Sequence, residues 1–100
     1  MEQPAVADNQ QVLTVSEKVK MYSTRFCPYC VRARSLLDSK GVKYTDIRVD
    51  SAADLRREMV ERSGRYTVPQ IWIGAQHIGG YDDLAGLERA GRLNKLLQRA

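Results

Sequence analysis

The sequence predicts an α/β fold in which helices flank a four-stranded mixed sheet. Apolar residues recur at helical spacing after the Cys-Pro-Tyr-Cys segment at 27–30. Residues 42–49 alternate and are rich in β-branched side chains, which is typical of a strand. Two further apolar runs, at 70–73 and 76–78, are separated by a Gly-Ala pair and predict a hairpin. The predicted order of elements is β-α-β-α-β-β-α, with a short helix at the C-terminus.

The first strand and the first helix are placed around the two cysteines. Val19, Met21 and Tyr22 indicate a short strand, which a loop connects to the cysteines. Pro28 suits the first turn of a helix, because an N–H at that position would have no partner within the helix. The helix is expected to run to about residue 40 and to end at Gly41, because glycine readily adopts the left-handed conformation that closes many helices.

Capping residues place the later helices. One helix is expected after Asp50 or Ser51, either of which can cap it, and Gly64 is expected to end it. The acidic pair at 82–83 is expected to open the next helix, since acidic side chains favour the positive end of a helix. Residues 93–99 can form a short last helix.

These elements predict one domain over residues 17–100. One hundred residues are enough for a single small core. The first β-α-β unit is expected to make a right-handed parallel crossover, and the hairpin then adds antiparallel strands to the same sheet. Residues 1–16 lack strong periodicity and are expected to form a flexible extension, with residues 12–15 adding to an edge strand.

Composition excludes several broad classes of protein. Hydrophobic residues make up 43% of the chain and charged residues 28%, which is typical of a globular domain. No run of about 18 apolar residues is present, so neither a membrane-spanning helix nor a membrane partner is expected. No basic flank precedes an apolar segment near the N-terminus. A secretory signal is therefore not expected, and the expected location is cytoplasmic.

Residues that can bind metals or form disulfides are few. The sequence has two cysteines, Cys27 and Cys30, and one histidine, His77. They cannot supply four ligands to a zinc ion or build a scaffold with several disulfides. Redox exchange on one cysteine pair is favoured, and no metal is expected. A structural disulfide and half of a metal site shared between two chains are less favoured alternatives, and His77 is expected to be structural.

Positive charge is concentrated outside the first sixteen residues. Residues 1–16 contain Glu2 and Asp8 and no base, so the rest of the chain holds all 16 lysines and arginines against 10 acids. Five bases and no acid lie between Lys18 and Arg34, which indicates a surface that attracts anions around the cysteines. A nucleic-acid partner would need a longer basic stripe with interleaved aromatic residues, so none is expected.

The spacing of Cys27 and Cys30 predicts two chemically different thiols. A C-x-x-C pair in a β-α-β unit is typical of a thioredoxin-like redox motif. Residues three apart at a helix start lie on one face, close enough for a disulfide. Cys27 meets the positive end of the helix with Arg25 nearby, which favours its thiolate and makes it the expected nucleophile. Cys30, one turn further and more buried, is expected to resolve the mixed disulfide.

The segment Thr67-Val68-Pro69 precedes the third strand. Proline at the start of a strand is common on structural grounds alone. After a C-x-x-C motif in this topology we instead expect a cis Val68–Pro69 bond, which turns the chain sharply. The backbone N–H and C=O of Val68 would then face the cysteines, where an extended peptide could pair with them as an added strand.

Three motifs in this order resemble one family. The segments at 27–30 (Cys-Pro-Tyr-Cys), 67–69 (Thr-Val-Pro) and 79–83 (Gly-Gly-Tyr-Asp-Asp) are similar to those of dithiol glutaredoxins of bacterial type, and the similarity covers about residues 17–98. The resemblance implies the thioredoxin fold and a redox-active disulfide that serves electron transport and cell redox homeostasis. It implies reduction of protein–glutathione mixed disulfides and protein disulfides, ribonucleotide reductase being one candidate substrate, with glutathione as co-substrate. A monomer is expected.

The resemblance also implies a glutathione site. Tyr29 would line the groove, the Val68 backbone would pair with the cysteinyl part of glutathione, and the helix start at Tyr81 would hold the γ-glutamyl carboxylate. Arg56 would reach the glycine carboxylate. Family members often carry lysine three residues before the first cysteine, and Arg25 is expected to take its place. The implied glutathione-binding residues are Arg25, Tyr29, Arg56, Thr67, Val68, Pro69, Tyr81, Asp82 and Asp83.

Two other functions could use the same residues. A thioredoxin-like protein disulfide reductase would be recharged directly by a flavoprotein and would need no glutathione. An iron–sulfur cluster carrier would use one Cys27 thiolate per subunit and two glutathione molecules to bridge a dimer. Pro28 stiffens the loop and argues against this second alternative.

Overall fold

Eight regular elements lie within residues 18–99, which are the residues that this computed structural model describes. The strands are β1 (Val19–Ser23), β2 (Thr45–Arg48), β3 (Gln70–Ile73) and β4 (Gln76–Gly79). The helices are α1 (Pro28–Ser39), α2 (Ala53–Ser63), α3 (Tyr81–Arg89) and α4 (Leu93–Arg99). Their order is the predicted one. The expected extension, with its strand at 12–15, lies outside the described residues.

The four strands form one mixed sheet in the order β2-β1-β3-β4. Strand β1 is parallel to β2, with Met21 opposite Asp46, and antiparallel to β3, with Met21 opposite Ile71. Strands β3 and β4 form the predicted antiparallel hairpin, whose register shifts between Ile71 and Trp72. The parallel crossover through α1 and the hairpin together confirm the predicted mixed sheet.

The two faces of the sheet bury separate apolar clusters, because successive side chains of a strand point to opposite faces. Met21 of β1 belongs to the larger cluster, which includes Leu37 of α1 and Leu84 of α3. Tyr22, the next residue, belongs to a smaller cluster around Met59 of α2. Helices therefore cover both faces. None of the helices between residues 18 and 99 has the length and apolar character needed to cross a membrane.

Two predicted boundaries differ from the structure. Strand β2 begins at Thr45 rather than at residue 42, because Val42 packs its side chain against the larger cluster before the backbone joins the sheet. The N-cap of α2 is Ala52, with no side-chain cap, so the expected cap at Asp50 or Ser51 is wrong. The carboxylate of Asp50 instead accepts a hydrogen bond from the backbone N–H of Arg25 at 3.0 Å.

Strand directions bring three loops to one edge of the sheet. Strand β1 ends at this edge, and α1 starts after it. Because β3 is antiparallel to β1, the segment that enters β3 starts at the same edge. Because β4 is antiparallel to β3, it ends there too, and α3 follows directly. The edge thus collects the cysteine pair, the Thr-Val-Pro segment and the start of α3.

Candidate active site

The two cysteines lie at the start of α1 in different environments. Cys27 is the N-cap residue, and its carbonyl accepts a hydrogen bond from the Val31 N–H at 3.0 Å. Pro28 is the first helical residue, and no acidic side chain lies in the first turn. Cys27 is partly exposed and Cys30 is fully buried, and both are free thiols. This is the exposure contrast that the C-x-x-C spacing predicts.

Burial holds the proton on Cys30. Burial is the largest of the effects that raise the pKa of the Cys30 thiol to about 11. A hydrogen bond and charge interaction with Cys27 raise the pKa further, while the Thr24 backbone and the Arg34 guanidinium oppose the rise. At neutral pH Cys30 is therefore a protonated thiol, and of the two sulfurs only that of the partly exposed Cys27 is open to solvent.

The Thr-Val-Pro segment lies against Cys27. The Val68–Pro69 peptide bond is cis, as predicted. The Cys27 thiol donates a weak hydrogen bond to the Val68 carbonyl, with 3.7 Å between Sγ and O. Within residues 18–99, the Val68 N–H donates no hydrogen bond. An extended peptide bound beside Cys27 would find an unpaired backbone donor at this position.

A buried glutamine that the sequence analysis missed fixes this segment. Gln70 is fully buried, and its side-chain amide donates to the Thr67 carbonyl at 3.0 Å and to the Thr67 hydroxyl at 3.3 Å. Its amide oxygen pairs with Nε2 of His77 at 2.8 Å. In the sequence, this role is indicated by a polar residue at the start of an otherwise apolar strand. A buried side-chain amide needs hydrogen-bond partners, so such a residue is expected to bind neighbouring polar groups. His77 also stacks on Trp72, with ring centroids 4.6 Å apart, which fits the expected structural role.

A cleft of about 210 Å³ runs from Tyr29, which lies between the two cysteines in the sequence, to the start of α3. It contains seven of the nine residues that the resemblance assigns to glutathione, namely Tyr29, Thr67, Val68, Pro69, Tyr81, Asp82 and Asp83. Arg65, Gly80 and Gln70 also line it. Residues separated by up to 54 positions in the sequence thus share one concave surface.

Asp83 organises the α3 end of the cleft. Its Oδ2 accepts a hydrogen bond from the Gly80 N–H at 2.9 Å and lies 3.3 Å from Nη1 of Arg65. The first hydrogen bond of α3 runs from the Leu84 N–H to the Gly80 carbonyl. The N–H groups of the first turn therefore lack helical acceptors and form the positive end of the helix, which favours an anion.

Two predicted residues do not line the cleft. Arg25 is exposed, with its guanidinium carbon 5.2 Å from the centre of the Phe26 ring. Arg56 donates from Nη1 to the Tyr66 carbonyl at 3.2 Å, at the outer margin of the Thr-Val-Pro segment. The cation that does line the cleft is Arg65, which the sequence analysis did not single out. The sequence feature that could have indicated Arg65 is its position between the end of α2 and the Thr-Val-Pro segment.

No group of three His, Cys, Asp or Glu side chains comes together to hold a metal ion within the described part of the chain. The site combines a partly exposed thiol at Cys27, a buried thiol at Cys30 and a cleft that ends at the start of α3. Comparison with known proteins gives this arrangement a family: the family model described as glutaredoxin matches residues 19–78.

This chain belongs to the glutaredoxin family. Relatives extend the match over most of the sequence. A glutaredoxin of Pseudomonas aeruginosa is 53% identical over 79 residues, which are 79% of this chain and 94% of that protein. Glutaredoxin 3 of Escherichia coli K12 is 54% identical over 80 residues, which are 80% of this chain and 96% of that protein.

Solved glutaredoxin structures share the fold. The crystal structure of a buckwheat glutaredoxin–glutathione complex superposes with a TM-score of 0.78 at 32% identity, over 92% of this chain and 86% of that one. The solution structure of glutaredoxin from Brucella melitensis has a TM-score of 0.72 at 49% identity, over 81% and 88% of the two chains. Family and fold together make this glutaredoxin a thiol–disulfide oxidoreductase.

Proposed function

We propose that this glutaredoxin uses glutathione to reduce protein–glutathione mixed disulfides and protein disulfides, with Cys27 as nucleophile and Cys30 as resolving thiol. The contrast between the two sulfurs carries the proposal. Cys27 is partly exposed beside the Val68 carbonyl, whereas Cys30 is fully buried and its pKa is raised to about 11. Only the first sulfur is open to a disulfide that arrives from solvent.

Deglutathionylation needs Cys27 alone. Its thiolate attacks the glutathione sulfur of the mixed disulfide, the protein–glutathione S–S bond breaks, and the protein thiolate leaves and takes a proton. A second glutathione thiolate then attacks the glutathione sulfur on Cys27. Oxidised glutathione forms, and Cys27 leaves as a thiolate. Only the second glutathione enters in reduced form, and it leaves joined to the glutathione of the substrate as oxidised glutathione, which a separate NADPH-dependent reductase returns to two reduced molecules.

Reduction of a protein disulfide needs both cysteines. Cys27 attacks one sulfur of the substrate and forms a mixed disulfide with it, releasing the first protein thiolate. Cys30 then loses its proton and attacks the Cys27 sulfur, so that the Cys27–Cys30 disulfide forms and the second protein thiolate leaves. Two glutathione molecules return the pair to the dithiol form.

Three features of the cleft support glutathione as the co-substrate. The unpaired Val68 N–H and its carbonyl suit the extended cysteinyl backbone. The free N–H groups at the start of α3 suit the γ-glutamyl carboxylate. The exposed Asp82 carboxylate on the same turn suits the adjacent ammonium group. A structural neighbour, the buckwheat protein, is described as a glutathione complex.

The glycine carboxylate of glutathione is assigned to the arginines beside the Thr-Val-Pro segment. Arg56 remains the proposed partner, because its bond to the Tyr66 carbonyl places it one residue from Thr67. Arg65 lines the cleft but is engaged by Asp83 at 3.3 Å. Arg25, exposed two residues before Cys27, is proposed to attract the anion rather than to grip it.

The proposed partners are glutathionylated proteins and oxidised proteins, ribonucleotide reductase being one candidate, and the proposed active form is a monomer. We place the reaction in the cytoplasm, because glutathione keeps that compartment reducing and can return the Cys27–Cys30 pair to the dithiol form there. All of these proposals presuppose that the protein turns over with glutathione as its reductant.

A glutathione-coupled assay tests the proposal. The full chain is supplied with a glutathionylated peptide, reduced glutathione, NADPH and glutathione reductase, and NADPH loss is followed. The expected result is turnover that Cys27→Ser abolishes. Cys30→Ser should keep deglutathionylation but lose most reduction of a protein disulfide, because that variant has no resolving thiol.

Two results would overturn the proposal. Equal loss of deglutathionylation in Cys27→Ser and Cys30→Ser would contradict the division of roles. Turnover without glutathione, when thioredoxin reductase is supplied instead, would favour the flavoprotein-recharged alternative.

A further inference from the structure

An ion-pair network links α1 to the ends of β1 and β2. Arg34 Nε lies 2.9 Å from Oδ2 of Asp46, and their side chains are only 18% and 24% exposed. The Arg34 Nη2 group donates to the Ser23 hydroxyl at 3.0 Å and to the Thr24 carbonyl at 3.1 Å. The buried Ser23 hydroxyl donates to the other oxygen of Asp46. Three acceptors therefore fix the guanidinium in one place.

The network holds Arg34 on the helix that also carries Cys30, the proposed resolving cysteine. Arg34 follows Cys30 by one turn of α1, so the two side chains share a helix face. Thr24, whose carbonyl the guanidinium holds, has a backbone group that favours the charged form of Cys30, as does the Arg34 charge itself. The ionisable groups that act on Cys30 within residues 18–99 are Cys27, which opposes ionisation, and Arg34, which favours it.

A partly buried ion pair contributes little net free energy to the packing of a helix on a sheet, because both charged groups lose hydration. Replacing a buried ion pair with apolar residues of similar volume is often neutral or stabilising in proteins. Cys30, in contrast, has a specific need for a nearby cation. Burial keeps its proton on, yet the resolving step requires the thiolate.

We propose that Arg34 is a positioning residue for the resolving thiol, and that its held guanidinium stabilises Cys30 as a thiolate during the attack on the mixed disulfide. The inference rests on the proposed function, since it concerns the second exchange of that reaction. In that exchange Cys30 gives its proton to solvent, the Cys30–Cys27 S–S bond forms, and the bond from Cys27 to the departing thiolate breaks. The departing thiolate then takes a proton.

The size of the effect follows from the chemistry of thiolates. A tenfold loss of Cys30 thiolate slows the attack only about threefold, because a more basic thiolate is also more nucleophilic, with a Brønsted slope of about 0.4–0.5. Arg34→Met, which keeps the volume and removes the charge, is therefore expected to slow resolution about three- to tenfold. Arg34→Lys, which keeps a charge, should recover most of the rate.

Two variants of the same network serve as controls. Arg48 also approaches Asp46, at 3.5 Å, but its side chain is 47% exposed, and the Thr24 carbonyl is bound by Arg34 instead. Arg48→Met should therefore leave the resolving rate unchanged. Asp46→Asn removes the charge that partly neutralises Arg34, so it should shift the titration of Cys30 in the direction opposite to Arg34→Met.

The test follows the resolving step in a single turnover. The Cys27–glutathione adduct of the full chain is formed by rapid mixing with oxidised glutathione, quenched with acid at set times and measured by mass spectrometry. The loss of the adduct to the internal disulfide gives the rate at each pH. Arg34→Met should lower this rate at neutral pH and move its pH midpoint upward. Deglutathionylation measured in the Cys30→Ser background should not respond to Arg34→Met, because Cys30 is absent there.

The possible results distinguish a failure of the role proposed for Arg34 from a failure of the proposed function. Wild-type rate and pH midpoint in a folded Arg34→Met protein would overturn the inference. A shift of the pH midpoint in the same direction in Arg34→Met and Asp46→Asn, with no recovery in Arg34→Lys, would also overturn it and leave only a packing role. If the Cys30→Ser background showed no deglutathionylation at all, the proposed function would fail rather than this inference.

Discussion

At the scale of single residues, the two cysteines differ mainly because one of them is buried. Burial is the largest cause of the raised pKa of Cys30, and Cys27 adds to it through a hydrogen bond and through charge. The contribution of Cys27 disappears when its sulfur is tied up in a mixed disulfide, because that sulfur then carries no charge. In the proposed reaction, Cys30 should therefore ionise more readily at the stage that needs its thiolate.

This coupling gives a prediction for Cys27→Ala. Alanine removes both the charge and the sulfur that interact with Cys30, so the pKa of Cys30 should fall below its value of about 11 in the dithiol protein. Titration of isotope-labelled cysteine by NMR measures the change directly. An equal or higher pKa in the variant would show that Cys27 does not hold the proton on Cys30.

Residue chemistry also shows where sequence reasoning reached its limit. Cys27 and Cys30 could be assigned different roles from the sequence, because the N-terminus of a helix carries a partial positive charge that acts on the first of them. The same reasoning missed Gln70 and Arg65, whose roles depend on partners distant in the sequence. Gln70 needs His77, seven residues away, and Arg65 needs Asp83, 18 residues away. A local pattern can mark such a residue, as the polar position at the start of an apolar strand marks Gln70, but it does not identify the distant partner.

At the scale of elements, the junction between β4 and α3 forms the end of the cleft where we propose that the γ-glutamyl carboxylate binds. Gly79 ends β4 with a φ of +116°, a conformation that side chains rarely adopt. A Cβ atom at this position would overlap the carboxylate of Asp83. That carboxylate in turn binds the Gly80 N–H and Arg65. The sharp turn and the geometry of the cleft therefore depend on the same glycine.

Gly79→Ala is predicted to lower the free energy of unfolding by about 1–3 kcal/mol, because the backbone conformation becomes strained and Asp83 must move. It should also raise the KM for a glutathionylated substrate, since the start of α3 is disturbed. Urea unfolding and the coupled assay measure the two effects.

Gly86→Ala is the matched control within α3. The nearest atom to an added Cβ there is 3.9 Å away, so this change should stabilise the helix by about 0.5–1 kcal/mol. Unchanged stability in Gly79→Ala would show that neither the turn nor the overlap matters.

Elements were the part of the fold that could be predicted best. Strands and helices follow from local periodicity and from Gly and Pro at their ends, as at Pro28 and Gly64. Gly64 does close α2 in the left-handed conformation, with a φ of +74°. The cap of α2 could not be predicted, because Asp50 bonds to the N–H of Arg25 instead. A competing long-range partner overrides a local capping preference.

At the scale of the whole molecule, the order and direction of the strands bring the residues of the site together. The end of β1, the start of β3 and the end of β4 meet at one edge of the sheet because β3 is antiparallel to both of its neighbours, β1 and β4. Cys27, Val68 and Tyr81 come together for that reason. The charge of the molecule adds to this, since the chain carries a net charge of +4 and a cleft with an open helix start favours anions.

The transfer of labelled glutathione tests the central claim most directly. The reduced full chain is mixed rapidly with a peptide that carries isotope-labelled glutathione, quenched with acid within milliseconds and mapped by mass spectrometry. The predicted result is label on Cys27 first, followed by its loss as the adduct is resolved. Label appearing first on Cys30, or oxidation of the pair with no labelled intermediate, would contradict the account.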